Sequence, residues 1–355
     1  MNHPTRPHRS TSAVSSMQRR RSPRLAARRI GIGRAIALVA SLLCATLAVG
    51  FDLQGHRGAR GLAPENTLTA FMKALDLGVT TLELDVGVSK DGVAVIYHDR
   101  TLNPDITRDA SGQWLNGRGP RLRDLTFDEL QRYDVGRIRP GTGYASTYWM
   151  QEGADGERIP ALGALFAIVE ARGVRDVHFN IETKLSPLAP EETWKPETMV
   201  RAILREVRRY GLESRVTIQS FDWRTLAIVA REAPQVQRAY LTSQQTGLDT
   251  VERGRPGASP WLNGLDADDH ASVPRLVRAV GGWIWSPNFR DLTLAQVEEA
   301  RELGLTVIPW TVNDWADLQR MMDLRVDGLI TDYPDRARLV IESRGRVLPP
   351  ERKAP

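Results

Sequence analysis

Thr80-Thr81-Leu82-Glu83-Leu84-Asp85-Val86-Gly87-Val88-Ser89-Lys90-Asp91-Gly92-Val93-Ala94-Val95-Ile96-Tyr97-His98 is the stretch that decides the fold. It contains two runs of strand character, 80–86 and 93–98. Residues 87–92 between them are too few for a parallel crossover, which takes a dozen or more. The runs therefore pair as an antiparallel hairpin, with Asp91-Gly92 as a two-residue turn. With that turn, facing residues have numbers summing to 183, so His98 is expected opposite Asp85. Glu83 lies two residues back and shares the face of Asp85 by the strand period of two.

Outward from the hairpin, short apolar runs alternate with amphipathic stretches. Strands are expected at 51–57, 177–183, 216–220, 237–242, 282–286, 305–311 and 327–331, and helices at 67–77, 196–210, 223–232, 294–303 and 315–324. Because 93–98 runs back beside the second strand, eight strands remain in a strand-helix repeat. That count predicts the α/β class and a closed (β/α)8 TIM barrel, a single domain over residues 51–343. Residues 100–160 break the repeat with Gly117-Arg118-Gly119-Pro120 and Arg139-Pro140-Gly141-Thr142-Gly143 and carry one short helix near 127–133. Their place directly after the hairpin predicts an insertion at the rim that carries the chemistry. The basic, proline-rich stretch 344–355 is expected to be a disordered tail.

The chain has 355 residues and a formal net charge of +5. The excess is confined to residues 1–50, which hold nine arginines and no acid; without them 39 basic residues face 43 acidic ones, a net charge of −4. A nucleic-acid partner, suggested only by the basic balance, is thereby excluded. The arginine-rich start followed by an apolar run over 35–49 predicts an export leader, removed near Ala48 and Gly50 or, failing removal, an anchor. The run is shorter than a bilayer span, so no stable membrane span is expected in the mature chain, which is placed in the periplasm or secreted. Met17 is an alternative start. The one cysteine, Cys44, lies inside the leader, so thiolate chemistry, disulfides and a cysteine zinc site are not available to the mature protein.

The chemistry must then come from the polar residues at the C-terminal ends of the expected strands, the face of a barrel that carries the active site. These are His56 and Arg57, Glu83 and Asp85, Glu182 and Lys184, Gln219, and Trp310 with Asn313. Three carboxylates, Glu83, Asp85 and Glu182, suit a hard divalent cation, Ca2+ or Mg2+, better than zinc. Arg57 and Lys184 are left to bind an anion such as a phosphate. Two histidines, His56 and His98, can move protons in opposite directions. Together they predict phosphoryl transfer to an alcohol or water. Trp310 is expected to wall the pocket, and Asn313 to cap the helix that begins at Asp314.

At these positions the sequence resembles the glycerophosphodiester phosphodiesterases, in their bacterial, exported form. The matching segments are His56-Arg57-Gly58-Ala59, Pro64-Glu65-Asn66-Thr67, Glu83-Leu84-Asp85-Val86, Lys90-Asp91-Gly92 and His98-Asp99. They continue through Ile181-Glu182-Thr183-Lys184, Gln219-Ser220-Phe221-Asp222, Trp310-Thr311-Val312-Asn313 and Asp327-Gly328-Leu329-Ile330-Thr331-Asp332-Tyr333-Pro334. The resemblance implies a TIM barrel and a divalent metal at Glu83, Asp85 and Glu182. It also implies His56 and His98 as the acid-base pair; beside it, the residues themselves make Arg57, Lys184, Gln219 and Trp310 the expected substrate-binding set. The implied reaction is hydrolysis of a glycerophosphodiester to an alcohol and glycerol 3-phosphate, with attack by water or by the neighbouring glycerol hydroxyl through a cyclic phosphate. Two other readings use the same residues: a lysophospholipase D or sphingomyelinase-like phosphodiesterase acting on lipid headgroups, and a binding protein that captures glycerophosphodiesters without cleaving them. The sequence is silent on oligomeric state.

Overall fold

The computed structural model describes residues 50–352. The expected export leader, Cys44 and the processing point near Ala48 lie outside the described residues. In chain order the elements are β1 (Asp52–Gly55), α1 (Leu68–Asp76), β2 (Thr81–Val88), β3 (Ala94–Ile96), α2 (Phe127–Leu130), α3 (Gly143–Thr147), α4 (Leu162–Ala171), β4 (His178–Thr183) and α5 (Pro196–Arg209). They continue with β5 (Val216–Ser220), α6 (Trp223–Glu232), β6 (Gln237–Thr242), β7 (Gln244–Gln245), β8 (Leu248–Asp249), α7 (Val273–Ala279) and β9 (Ile284–Pro287). The last are α8 (Leu294–Glu302), β10 (Thr306–Val307), α9 (Trp315–Asp323), β11 (Gly328–Thr331) and α10 (Pro334–Ser343).

Eight strands pair in parallel in the order β10, β9, β6, β5, β4, β2, β1, β11. The remaining seam, between β10 and β11, is bridged by main-chain hydrogen bonds from Asp327 to Val307 (3.1 Å), Ile330 to Pro309 (2.9 Å) and Val312 to Ile330 (2.9 Å). The strand expected at 305–311 is regular only to Val307, because Pro309 has no N–H to continue the ladder. The helices lay their apolar stripes on the outside of this cylinder, as in a (β/α)8 TIM barrel. No helix among the described residues is long and apolar enough to cross a membrane.

The hairpin forms as expected, but its register differs by one residue. Val86 faces Ile96 and Val88 faces Ala94, and Ser89 N–H donates to Val93 O (3.0 Å). The loop is therefore three residues, Lys90, Asp91 and Gly92, with Gly92 left-handed at φ +83°, a common three-residue reversal. Asp91 anchors it by accepting from Ser89 Oγ (2.6 Å) and from the Phe127 N–H (3.0 Å). The extra residue puts Tyr97, not His98, opposite Asp85: Tyr97 N–H donates to Asp85 O (2.9 Å). His98 enters the barrel mouth only because the chain leaves the strand after Ile96.

The outer side of this hairpin supports the insertion. Val95 and Tyr97 pack with Leu102, Ile106, Leu122, Leu130 and Ile159 in an apolar cluster separate from the main core. The expected short helix is α2, closed by a capping box between Thr126 and Glu129; α3 lacks an apolar stripe that could have announced it. The segment after α10 does not behave as a disordered tail up to Arg352. Leu348 is only 7% exposed and joins the main core, and Arg352 donates its N–H to Asp76 O (2.8 Å) and pairs with Asp176 (2.9 Å). Burial of one leucine and closure of an α1 carbonyl hold the segment against the barrel floor. Leu348→Ala should therefore lower unfolding stability by about 2 kcal/mol or more in urea denaturation, where an unattached tail gives no change.

Candidate active site

The site is assembled on the turn after β1. His56 N–H donates to Thr331 O (2.8 Å) on β11, so the turn spans the barrel seam. Gly58 takes φ +86°, and a Cβ there would lie 2.6 Å from the Ala70 backbone, so only glycine lets α1 pack this closely. Arg57, at φ +51°, is thereby turned inward. Its N–H donates to Glu83 Oε2 (2.8 Å), and its guanidinium lies between Glu65 (2.8 Å) and Asp85 (3.2 Å). Asn66, also left-handed, donates to Asp85 Oδ2 (2.9 Å), while Thr67 caps α1.

Glu83, Asp85 and Glu182 are buried and present carboxylate oxygens within 4.8 Å of one another. Asp85 and Glu182 are direct partners across the β2–β4 ladder. Lys184 reaches Glu182 (2.7 Å) and Asp85 (3.5 Å). Burial, followed by the negative charge of Asp85, pushes Glu83 well above the usual carboxylate range. Burial also opposes ionisation of Asp85, but Lys184 and Arg57 outweigh it and hold that group well below its ordinary value. Glu182 is raised, chiefly by burial. Asp85 Oδ1 is buried without a hydrogen-bond partner among the described residues. A buried carboxylate oxygen with no hydrogen bond, and only the Lys184 ammonium 3.5 Å away, among three converging acids fits a hard divalent cation, so the residues present are suited to hold one.

Both expected histidines face the same cavity of about 360 Å³, with Glu83, Glu182 and Lys184 on its wall. His56 Nδ1 donates to Asp332 Oδ1 (2.6 Å), leaving Nε2 on the cavity side, 3.9 Å from Glu83. His98 Nδ1 is similarly held by Asp99 (2.7 Å), which Asn103 braces (2.9 Å). Burial and then Arg60 bring His56 down to about 4; burial and then Arg57 bring His98 down to about 3. Both imidazoles are therefore neutral near pH 7, each with a free Nε2 lone pair.

Trp310 stands in the wall as expected, stacked edge-on to Phe221 (5.2 Å) and donating from Nε1 to Ser286 O (2.9 Å). Gln219, expected to bind substrate, has both amide ends engaged: it donates to Glu83 Oε1 (2.7 Å) and accepts from Asn180 (2.9 Å). It braces a carboxylate. Asn313 does not cap α9; it clamps Asp332, donating to Oδ2 (2.7 Å) and accepting the Asp332 N–H (3.0 Å). Asp332 and Arg60 were not anticipated. Arg60 grips Asp332 through Nε (2.8 Å) and Nη2 (3.0 Å) and stacks on Tyr148 of the insertion (4.5 Å), while Tyr144 bonds Glu65. The sequence signal was available: Arg60 follows His56 by four residues on one turn, and Asp332 lies just past the end of the strand that pairs with β1.

Known proteins share the sequence pattern and the fold. The model of the glycerophosphoryl diester phosphodiesterase family matches residues 56–336. A glycerophosphodiester phosphodiesterase of Caldanaerobacter subterraneus subsp. tengcongensis is 30% identical over 284 residues, covering 79% of this chain and 93% of that one. The crystal structure of a putative glycerophosphoryl diester phosphodiesterase from Silicibacter pomeroyi superposes with a TM-score of 0.75 at 35% identity, covering 84% of this chain and 95% of the other. An Oleispira antarctica phosphodiesterase solved with sn-glycerol-3-phosphate shares the fold, with a TM-score of 0.61 at 20% identity over 83% of this chain and 98% of that one.

The depressed His56 has a consequence for stability. The unfolded chain protonates this imidazole near 6.5, whereas the folded protein resists protonation down to about 4. Between these values the unfolded state binds more protons, so its contribution to stability is lost as pH falls. Relative to His56→Gln, the wild type should lose roughly 1.4 kcal/mol per pH unit between about pH 6 and 4.5 in denaturant titrations. A constant difference would mean that His56 is protonated in the folded state.

Proposed function

The chain belongs to the glycerophosphoryl diester phosphodiesterase family, and from that premise we propose how this member cleaves glycerophosphodiesters to an alcohol and glycerol 3-phosphate. The observation that carries the reading is the pair of imidazoles, each tethered at Nδ1 by an aspartate, facing one carboxylate cluster across a single cavity. A tethered Nδ1 fixes the tautomer and ring plane and leaves Nε2 for proton transfer.

The phosphodiester enters with its anionic oxygens toward Arg57 and Lys184, and the carbon skeleton of the glycerol rests on Trp310. A divalent cation, Ca2+ or Mg2+, held by Glu83, Asp85 and Glu182, supplies neutralisation of the phosphate charge when bound. One histidine Nε2 takes the proton from the attacking oxygen, either water or the adjacent glycerol hydroxyl. The bond from phosphorus to the headgroup oxygen breaks, and the other histidine, which takes up a proton at Nε2 from solvent as the anionic phosphodiester binds beside it, delivers that proton to the departing oxygen. Each carboxylate partner, Asp332 for His56 and Asp99 for His98, favours the imidazolium formed in transit. If the glycerol hydroxyl attacks, the first product is a cyclic phosphate, which water opens; phosphorus NMR during turnover reads that species directly.

His98→Ala should lower kcat/KM for glycerophosphocholine or glycerophosphoethanolamine by at least ~100-fold, and near-normal turnover would sink the assignment. Stripping the protein with EDTA should abolish turnover, with recovery on adding Ca2+ or Mg2+. A lysophospholipid assayed in parallel separates this reading from one directed at lipid headgroups: hydrolysis faster than that of the glycerophosphodiesters would reverse the substrate assignment.

A further inference from the structure

Below the three carboxylates the barrel interior is polar. Asp52 Oδ2 accepts from Gln54 Nε2 (2.7 Å), and Gln54 Oε1 accepts from Asn180 Nδ2 (2.7 Å). The same Asn180 nitrogen also donates to Gln219 Oε1 (2.9 Å), and Gln219 Nε2 donates to Glu83 Oε1 (2.7 Å). Three side-chain amides on β1, β4 and β5 thus run without a break from a carboxylate at the barrel floor to one of the proposed metal ligands. Gln54, Asn180 and Gln219 are all buried.

The direction of this chain is fixed at both ends. An ionised carboxylate, the form of Glu83 that binds a cation, only accepts, so each glutamine must turn its NH2 outward, toward Asp52 and toward Glu83. Both glutamines then present a carbonyl oxygen inward, and Asn180 must give one N–H to each. Its own oxygen is left over. That atom is buried, in a residue 2% exposed, and has no partner among the described residues. Asn180 lines a chamber of about 830 Å³ at the N-terminal ends of the strands. An orphan acceptor at the middle of the chain is what two acceptor-only ends impose, and turning Asn180 over would set its oxygen against two carbonyls.

We propose that Asn180 is a positioning residue for the metal site: it holds Gln219 with its NH2 toward Glu83 and so fixes the Glu83 carboxylate for cation binding. The inference rests on the reading of Glu83, Asp85 and Glu182 as metal ligands, and it adds a residue that touches neither metal nor substrate. Hydrogen-bonded partners of ligating carboxylates commonly change metal affinity 10- to 100-fold.

The test exploits a sign. In Asn180→Asp the middle of the chain becomes an acceptor, so Gln219 turns its NH2 inward and its oxygen onto Glu83. The relay predicts that affinity for Mn2+ or Ca2+, measured by titration calorimetry on the metal-stripped full chain at pH 8, falls about 10-fold. Simple electrostatics predicts the opposite, because added negative charge near three carboxylates tightens cation binding. Gln54→Glu adds the same charge one step further from the metal without reversing the donors of Asn180, and its affinity should stay within about 3-fold of wild type. Unchanged or tighter binding in Asn180→Asp overturns the proposal, as does an equal loss in both variants. Should Asn180→Asp fail to fold, Asn180→Leu carries the test without a charge: a loss of about 3-fold or more supports the relay, and undiminished affinity overturns it. A wild-type chain that takes up no divalent cation contradicts the metal reading itself, an outcome distinct from the failure of the relay.

Discussion

Three carboxylates within 4.8 Å of one another, all removed from water, are the constraint on which the rest of the site depends. At that separation and an effective dielectric near 20, each ionised pair repels by about 3.5 kcal/mol. Burial adds a desolvation cost to every charge. The fold answers with directed donors. Arg57 contributes a backbone N–H and a guanidinium, Lys184 an ammonium, Asn66 and Gln219 amide hydrogens. The tight turn at Arg57 and Gly58 serves this compensation, since only that backbone path lets one residue reach Glu83 with its main chain and Asp85 with its side chain. Arg57 and Lys184 offset part of the negative charge, and a divalent cation is the natural counterion for the remainder.

A second chain of contacts joins the insertion to the proton-transfer machinery. Tyr144 bonds Glu65, Glu65 pairs with Arg57, and Arg60 stacks on Tyr148 while gripping Asp332, which holds His56. Residues 100–160 are thus more than a surface excursion, because two of their tyrosines help fix the arginines around one imidazole. The separate apolar cluster behind the hairpin lets this segment keep its own shape while resting on the barrel.

Much of this was legible in the sequence, and the reason is geometric. A hairpin inside a strand-helix repeat leaves eight strands, and polar residues at strand ends can converge only on the barrel mouth. Glu83, Asp85, Glu182, His56 and His98 meet there. The convergence of His98 was inferred from a two-residue turn, yet Gly92 makes the loop one residue longer, and His98 arrives through a bend after the strand. Its place in the site therefore does not depend on hairpin register. Gln219 was read as a substrate contact and Asn313 as a helix cap, whereas both turn to hold acids. That choice depends on partners distant in the chain, Asn180 and Glu83 for one and Asp332 for the other, and periodicity carries no such information. The tail was read from composition alone, which cannot show that one leucine finds the core.

The central claim is that Glu83, Asp85 and Glu182 together hold one divalent cation beside His56 and His98. Crystals of the protein soaked in Mn2+ and glycerol 3-phosphate, measured at the manganese absorption edge, address it most directly. The account predicts one anomalous peak in the barrel mouth, bonded to oxygens of all three carboxylates and to a phosphate oxygen. A peak elsewhere, or a phosphate bound at the histidines with no metal between the three acids, would contradict it.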